Sequence, residues 1–348
     1  MNALKLYGIS DLRYEQAQPP VIEQADDVII RVTVTGICGS DLSRYKKLGP
    51  YVEGMVWGHE FTGVVEAVGN AVTHVSPGDR VAACPTIACG TCNRCLSGVP
   101  SQCISLTVIG SKQPGCFAEF TKLPAANVLP LPEGIAEEAA ALLEPAAVAL
   151  HGFYLTNLQP GRSVAVLGCG NIGLLSIRWA TLFGTKTVFA IDLDPQKLTL
   201  AEQMGANVTI CPKQKTAYEQ LMEYTDGEGV DLAVEAAGSP ATSAQVLALP
   251  RKGGEVVYMG IPYGDVPIER FYFEKIVRNE LTLYGSWNAV SAPFPGKEWT
   301  TALQMMSSGR LDVTSMITHR LPLSEGVQAF ADILQQKEFF GKVLLYPK

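Results

Sequence analysis

The spacing of hydrophobic positions changes near residue 163. Before it, short alternating runs such as Asp27-Val-Ile-Ile-Arg-Val-Thr-Val34 and Gly63-Val-Val-Glu-Ala-Val68 are broken by Gly, Pro and Asp, which predicts a β-rich region with many turns up to about residue 150. After it, an apolar run at 164–167 predicts a buried strand, followed by a glycine turn, a helix-period segment from Ile172 to about Phe183 and a second apolar run at 188–191. The pattern continues with helices over 195–204 and 242–249 and strands over 231–235, 255–259 and 281–284. Two further helices are predicted over 299–307 and 324–335. Alternation of strand and helix points to an α/β, doubly wound parallel sheet, the Rossmann arrangement, joined to a β-rich region.

A chain of 348 residues suits about two domains, each with its own core. Its 27 Lys+Arg against 34 Asp+Glu give a net charge of -7, so nucleic acid is not an expected partner and an anionic ligand needs a local basic cluster. No apolar run is long enough for a membrane span and the N-terminus lacks an export signal, so the expected location is the cytoplasm. In that reducing setting nine cysteines do not read as a disulfide framework. Cys89, Cys92, Cys95 and Cys103 instead follow C-x2-C-x2-C-x7-C in one polar loop, a pattern in which four thiolates close around a tetrahedral structural zinc.

Gly168-Cys-Gly170-Asn171-Ile172-Gly173 places G-x-G-x-x-G after a predicted strand and at the opening of a helix. Gly168 permits the tight turn, Gly170 admits the pyrophosphate of a dinucleotide, and Gly173 allows close helix–strand packing. Asp192 ends the next predicted strand 19 residues after Gly173, where its carboxylate accepts from the adenosine ribose hydroxyls. Asp194 follows closely and no Arg stands immediately after Asp192, which favours NAD over NADP. Lys197 is either a ribose donor or a solvated helix residue.

Cys38, His59, Glu60 and Glu144 offer a thiol, an imidazole and two carboxylates. A catalytic zinc needs three protein ligands and an open position. Cys38, His59 and one glutamate meet that count, and spacing alone leaves the choice open.

Gly58-His59-Glu60-Phe-Thr-Gly63, running on to Val68-Gly69, resembles the signature of zinc-containing medium-chain dehydrogenases, and the match spans essentially the whole chain. The resemblance implies a GroES-like zinc-binding catalytic domain from 1–150 and 288–348, and a Rossmann NAD-binding domain over 151–287. It implies two zinc ions per chain, one catalytic and one structural, and a homodimer or homotetramer. Within its polyol dehydrogenase subgroup the catalytic ligands correspond to Cys38, His59 and Glu144, the last binding directly or through water. Glu60 then supports the site or exchanges with Glu144.

Ser40 is the candidate for relaying the alcohol proton, and Trp287 and Asn288 are candidate lining residues. Arg44, six positions after Cys38 and followed by Tyr45, Lys46 and Lys47, suits a phosphorylated substrate because guanidinium holds phosphate bidentately. The expected reaction is NAD-linked, reversible oxidation of a secondary alcohol of a sugar alcohol phosphate to the keto sugar phosphate. The alternatives are a free-polyol enzyme such as a sorbitol or L-iditol 2-dehydrogenase, and a non-catalytic protein that binds NAD and zinc.

Overall fold

The computed structural model describes residues 1–347. The chain divides into two units, one made of Met1–Ala147 with the segment from Ala289 onward, the other of Val148–Asn288.

The first unit is built on a mixed, mostly antiparallel sheet. At its centre Asp27–Gly36 pairs antiparallel with Glu60–Val68, in register from Val28 opposite Val68 to Gly36 opposite Glu60. The other edge of Asp27–Gly36 is shared, because Phe120–Pro124 takes its first half and Lys342–Tyr346 takes its last residues. Alternating apolar side chains from these strands, among them Val28, Ile30, Val32, Val65, Leu123 and Val343, are buried with Phe117, Trp57 and Phe330 in one core. The last strands, Ile317–Pro322 and Lys342–Tyr346, run parallel to each other. Sequence periodicity did not single them out, because each is short and finds its partners far away in the chain.

In the second unit the sheet order is Val208–Ile210, Thr187–Ile191, Ser163–Leu167, Val230–Glu235, Pro250–Tyr258 and Thr282–Gly285, with every pairing parallel. The strands at 164–167, 188–190 and 232–234 are buried on both faces, as expected where crossover helices cover a parallel sheet. Strand order reverses between Ser163–Leu167 and Val230–Glu235, and such a switch point leaves a crevice at the carboxyl ends of the strands. The helix predicted over 242–249 differs in outline. It starts at Pro240, where Ser239 caps it through a bond from Thr242 N, and gives way to a 3-10 turn at Val246–Ala248. No helix among the described residues is long and apolar enough to cross a membrane.

Candidate active site

Antiparallel pairing assembles the first donors. Gly36 ends one strand opposite Glu60, which begins the other, so Cys38, just past that end, and His59, just before that start, converge. The Cys38 sulfur, a ring nitrogen of His59 and a carboxylate oxygen of Glu60 all lie within 4.8 Å of one another. Cys38 also precedes the short helix Gly39–Ser43, whose Asp41 Oδ2 accepts from Cys38 N at 2.9 Å. Asp41 is fully buried, and its Oδ1, without a hydrogen-bond partner, stands 3.5 Å from His59 Nδ1. An acid at Nδ1 orients the ring and leaves Nε2 for a metal. Ser40 Oγ donates to Cys38 Sγ at 3.4 Å and is exposed.

Lys342 enters from the C-terminal strand. Leu344 pairs opposite Gly36, so Lys342 extends beyond that strand end, fully buried, and its Nζ donates to Ile37 O at 3.0 Å and to Glu60 Oε2. Neither Asp41 nor Lys342 was singled out in the sequence. An acid three residues after Cys38 is a weak capping signal for the first, whereas the second depends on strand pairing 282 residues away.

The electrostatics call for a cation. Burial pushes the Cys38 thiol up and the Glu60 charge adds to that effect. Burial also raises Asp41, and lifts Glu144 to about 7. Burial opposes charge on His59, but the Asp41 carboxylate and Cys38 outweigh it and hold the imidazole well above its usual value. Cys38, Asp41, Glu60 and Glu144 thus share one positive side chain, Lys342, with His59. A divalent ion among these S, N and O donors supplies the missing charge, and the set fits zinc. Glu144, in the first turn of Leu143–Tyr154, feels the charges of His59 and Glu60 but lies outside the group of mutually close donor atoms. Glu60, rather than Glu144, is the carboxylate grouped with the Cys38 and His59 donor atoms.

The cysteine loop gathers a second donor set. Cys92 and Cys95 sulfurs are 3.6 Å apart, Cys89 and Cys103 3.5 Å, and Cys89 and Cys95 4.0 Å. Four sulfurs bound to one zinc at about 2.3 Å stand roughly 3.8 Å apart, so the loop is already close to tetrahedral spacing. Backbone N–H groups of Thr91 and Cys92 lower the Cys89 thiol to about 6, favouring the thiolate a metal requires.

In the second unit Gly168 has a φ of 97°, a conformation that favours glycine, and a Cβ there would lie 2.7 Å from Ala237. Gly170 caps the helix Asn171–Leu182, and a Cβ on it would meet nothing within 4 Å, whereas one on Gly173 would lie 1.8 Å from Gly168 O. Each glycine therefore has a different reason to be glycine. Asp192 Oδ2 accepts from Cys169 N at 2.7 Å and Oδ1 from Asp194 N at 2.9 Å, so the acid is fixed against the turn while keeping lone pairs for ribose hydroxyls. Lys197 is half-buried and close enough for its charge to act on Cys169. Asn171 and Ile172, the first two residues of the helix, are partly exposed beside the free N–H groups of its opening turn. This cradle fits a dinucleotide.

The candidate substrate residues are less unified. The guanidinium carbon of Arg44 sits over Tyr51, 3.5 Å from the ring centroid, and Nη1 donates to Gly49 O at 3.3 Å. It forms no ion pair among the described residues. Trp287 is about half exposed, and Asn288 has a φ of 54° and a buried Nδ2 without a hydrogen-bond partner.

Residues 24–133 match the Alcohol dehydrogenase GroES-like domain and residues 171–308 the Zinc-binding dehydrogenase family. The chain belongs to the zinc-binding alcohol dehydrogenase family. It is 36% identical over 336 residues to galactitol 1-phosphate 5-dehydrogenase of Escherichia coli (strain K12), with 97% of each chain covered. It is 32% identical to the sorbitol dehydrogenase of Bacillus subtilis (strain 168), covering 100% of this chain and 97% of that one. The crystal structure of galactitol-1-phosphate dehydrogenase from Escherichia coli superposes with a TM-score of 0.95 at 35% identity, all of both chains being covered. As a member of this family the protein is an oxidoreductase, an alcohol or polyol dehydrogenase that uses zinc and a nicotinamide dinucleotide.

Proposed function

We propose that the protein oxidises a secondary alcohol of a sugar alcohol phosphate, with galactitol 1-phosphate as the leading candidate, and that NAD accepts the hydride. The observation that carries this reading is the convergence of Cys38, His59 and Glu60 within 4.8 Å, with Arg44 in the segment that follows Cys38. Zinc bound by these three residues supplies Lewis acidity that lowers the pKa of the substrate hydroxyl. Cys38 and His59 with Glu60 or Glu144 would hold the zinc as its three protein ligands, leaving room for substrate. Asp41 keeps His59 in the tautomer a metal requires. Ser40 Oγ takes the released proton towards solvent.

Asp192 selects NAD by accepting from both ribose hydroxyls and repelling a 2′-phosphate. Lys197 donates to the same ribose. The phosphate of the substrate docks on Arg44, whose guanidinium offers it paired N–H donors. Trp287 and Asn288 line the substrate site. A homodimer or homotetramer forms through the second unit, because Thr282–Gly285 ends its sheet and Leu283 on that edge strand is exposed.

Comparing kcat/KM for galactitol 1-phosphate and sorbitol tests the substrate. A higher value for sorbitol removes the phosphate reading, and equal loss on both substrates in Arg44→Ala makes Arg44 structural. Zinc analysis tests the site, with two ions per chain expected, one of which is lost in Cys38→Ala. Full activity in Cys38→Ala refutes the catalytic assignment. One observation favours a free polyol instead, namely that Arg44 already spends its face on Tyr51 and one N–H on Gly49.

A further inference from the structure

The second unit hides a carboxylate that none of the chemistry above employs. Glu235 ends the strand Val230–Glu235 at the switch point and is fully buried. Its Oε1 accepts three hydrogen bonds, from Ala237 N at 3.1 Å, Gly238 N at 3.0 Å and Thr242 Oγ1 at 2.7 Å. Its Oε2 has none. A Cβ on Gly260 would come within 2.5 Å of that bare oxygen and 2.4 Å of Gly238 N, so the end of the next strand is pressed against the same turn. On the opposite side Ala237 abuts Gly168, and Ala236 N donates to Leu167 O at 2.9 Å. Burying a carboxylate with one unsatisfied oxygen is costly, and nothing in the packing demands an acid there. The side chain therefore earns its place through the turn that it ties down.

The geometry points to Glu235 as a positioning residue for the nicotinamide half of the dinucleotide, an inference that rests on the dinucleotide reading above. Two lips border the crevice at the switch point. The lip after Ser163–Leu167 ends in the free N–H groups of the helix beginning at Asn171, which attract the pyrophosphate. Asp192 marks the adenosine side, so the nicotinamide side lies over the other lip, residues 236–239. Glu235 consumes the N–H groups of Ala237 and Gly238 from within. That second lip is left without a competing anion site and presents exposed Ala237 and partly exposed Ala236 as a small, rigid, apolar surface. A flat pyridine ring with its ribose fits such a surface, and a phosphate does not.

Titrating the zinc-replete protein with NADH and with ADP-ribose, which lacks the pyridine ring, tests this. Glu235→Leu removes the acceptor at similar volume and is expected to weaken NADH about tenfold while leaving ADP-ribose within about twofold of wild type. Glu235→Gln, which keeps one acceptor oxygen, is expected to restore most of the NADH affinity. Wild-type NADH affinity in Glu235→Leu, or parallel loss of both ligands, overturns the proposal, as does equal loss in Glu235→Gln. Failure of the wild-type protein to bind ADP-ribose refutes the dinucleotide reading itself. Should Glu235→Leu not fold, Thr242→Val removes the shortest of the three bonds. An NADH affinity reduced about threefold with ADP-ribose unaffected then supports the proposal, and an unchanged NADH affinity overturns it.

Discussion

Replacing Gly170 and Gly173 separately by alanine distinguishes what the cofactor needs from what the fold needs. At Gly173 the new methyl would stand 1.8 Å from Gly168 O and 2.9 Å from its carbonyl carbon. An ordinary contact is roughly 3.5 Å, so the helix start and the turn must part by more than about 1.5 Å along that line. Overpacking of this kind costs about 1–3 kcal/mol, sometimes more. Gly173→Ala is therefore expected to lower Tm in the absence of cofactor and, by displacing the N–H groups of the turn, to weaken NADH as well.

At Gly170 the backbone, φ −74° and ψ −171°, is open to alanine, and the methyl meets no protein atom within 4 Å. Reduced freedom of the unfolded chain then stabilises the protein by about 0.4–1 kcal/mol. The same methyl stands where the pyrophosphate must approach, so a loss of about tenfold to a hundredfold in NADH affinity, or about 1.4–2.8 kcal/mol, is expected. Fluorescence titration with NADH reads the affinity, and thermal melts without cofactor read the fold. A Gly170→Ala protein that binds NADH as wild type would refute the placement of the pyrophosphate. A Tm loss in Gly170→Ala as large as in Gly173→Ala would refute the steric argument.

Lys342→Met strands the buried Glu60 carboxylate, and breaking a buried pair in this way costs about 3–5 kcal/mol. Denaturant melts of metal-free protein are expected to show that loss, with Lys342→Met/Glu60→Gln recovering more than half of it, and strict additivity of the two changes contradicts the pairing. Cys92→Ser should release one zinc per chain by elemental analysis and lower Tm, while the remaining folded fraction keeps its kcat; unaltered zinc content speaks against a four-thiolate site. Glu138 receives both Arg320 Nε and Nη2 at 2.7 Å as well as the Tyr346 hydroxyl, and Arg320 chiefly holds its carboxyl below the usual value of 4.5. The stability this pair adds is present above pH 4.5 and is lost as pH falls through the depressed value of the folded state. A wild-type advantage over Glu138→Gln of about 1 kcal/mol at pH 7, shrinking in acid, is expected in melts across pH 3–7, and a gap independent of pH disproves the linkage.

Contiguous features were readable from the chain. The cysteine loop carries its ligands within a few residues, and backbone N–H groups already present inside it bring the sulfurs to near-metal spacing. The glycine turn is likewise local, since Gly168, Gly170 and Gly173 take their separate roles from one strand, one turn and one helix start. Periodicity also announced the alternation of strands and helices in the second unit, because burial on both faces leaves unbroken apolar runs. It did not mark Val208–Ile210 or the helix Ala217–Tyr224, where short apolar stretches sit among polar residues.

What remained hidden depends on contacts between distant segments. Residue types alone nominated Cys38, His59, Glu60 and Glu144 as donors, but they did not say which carboxylate stands beside the thiol. That was decided by the register that sets Gly36 opposite Glu60, together with a lysine brought in from position 342. Asp41 behind His59 and Glu235 under the second lip were silent for the same reason, since their meaning lies in the atoms that surround them. Local sequence specifies turns, caps and hydrophobic faces because those interactions close over a few residues. Charge balance in a buried site is a sum over all strands that meet there, and only the assembled sheet brings those charges together.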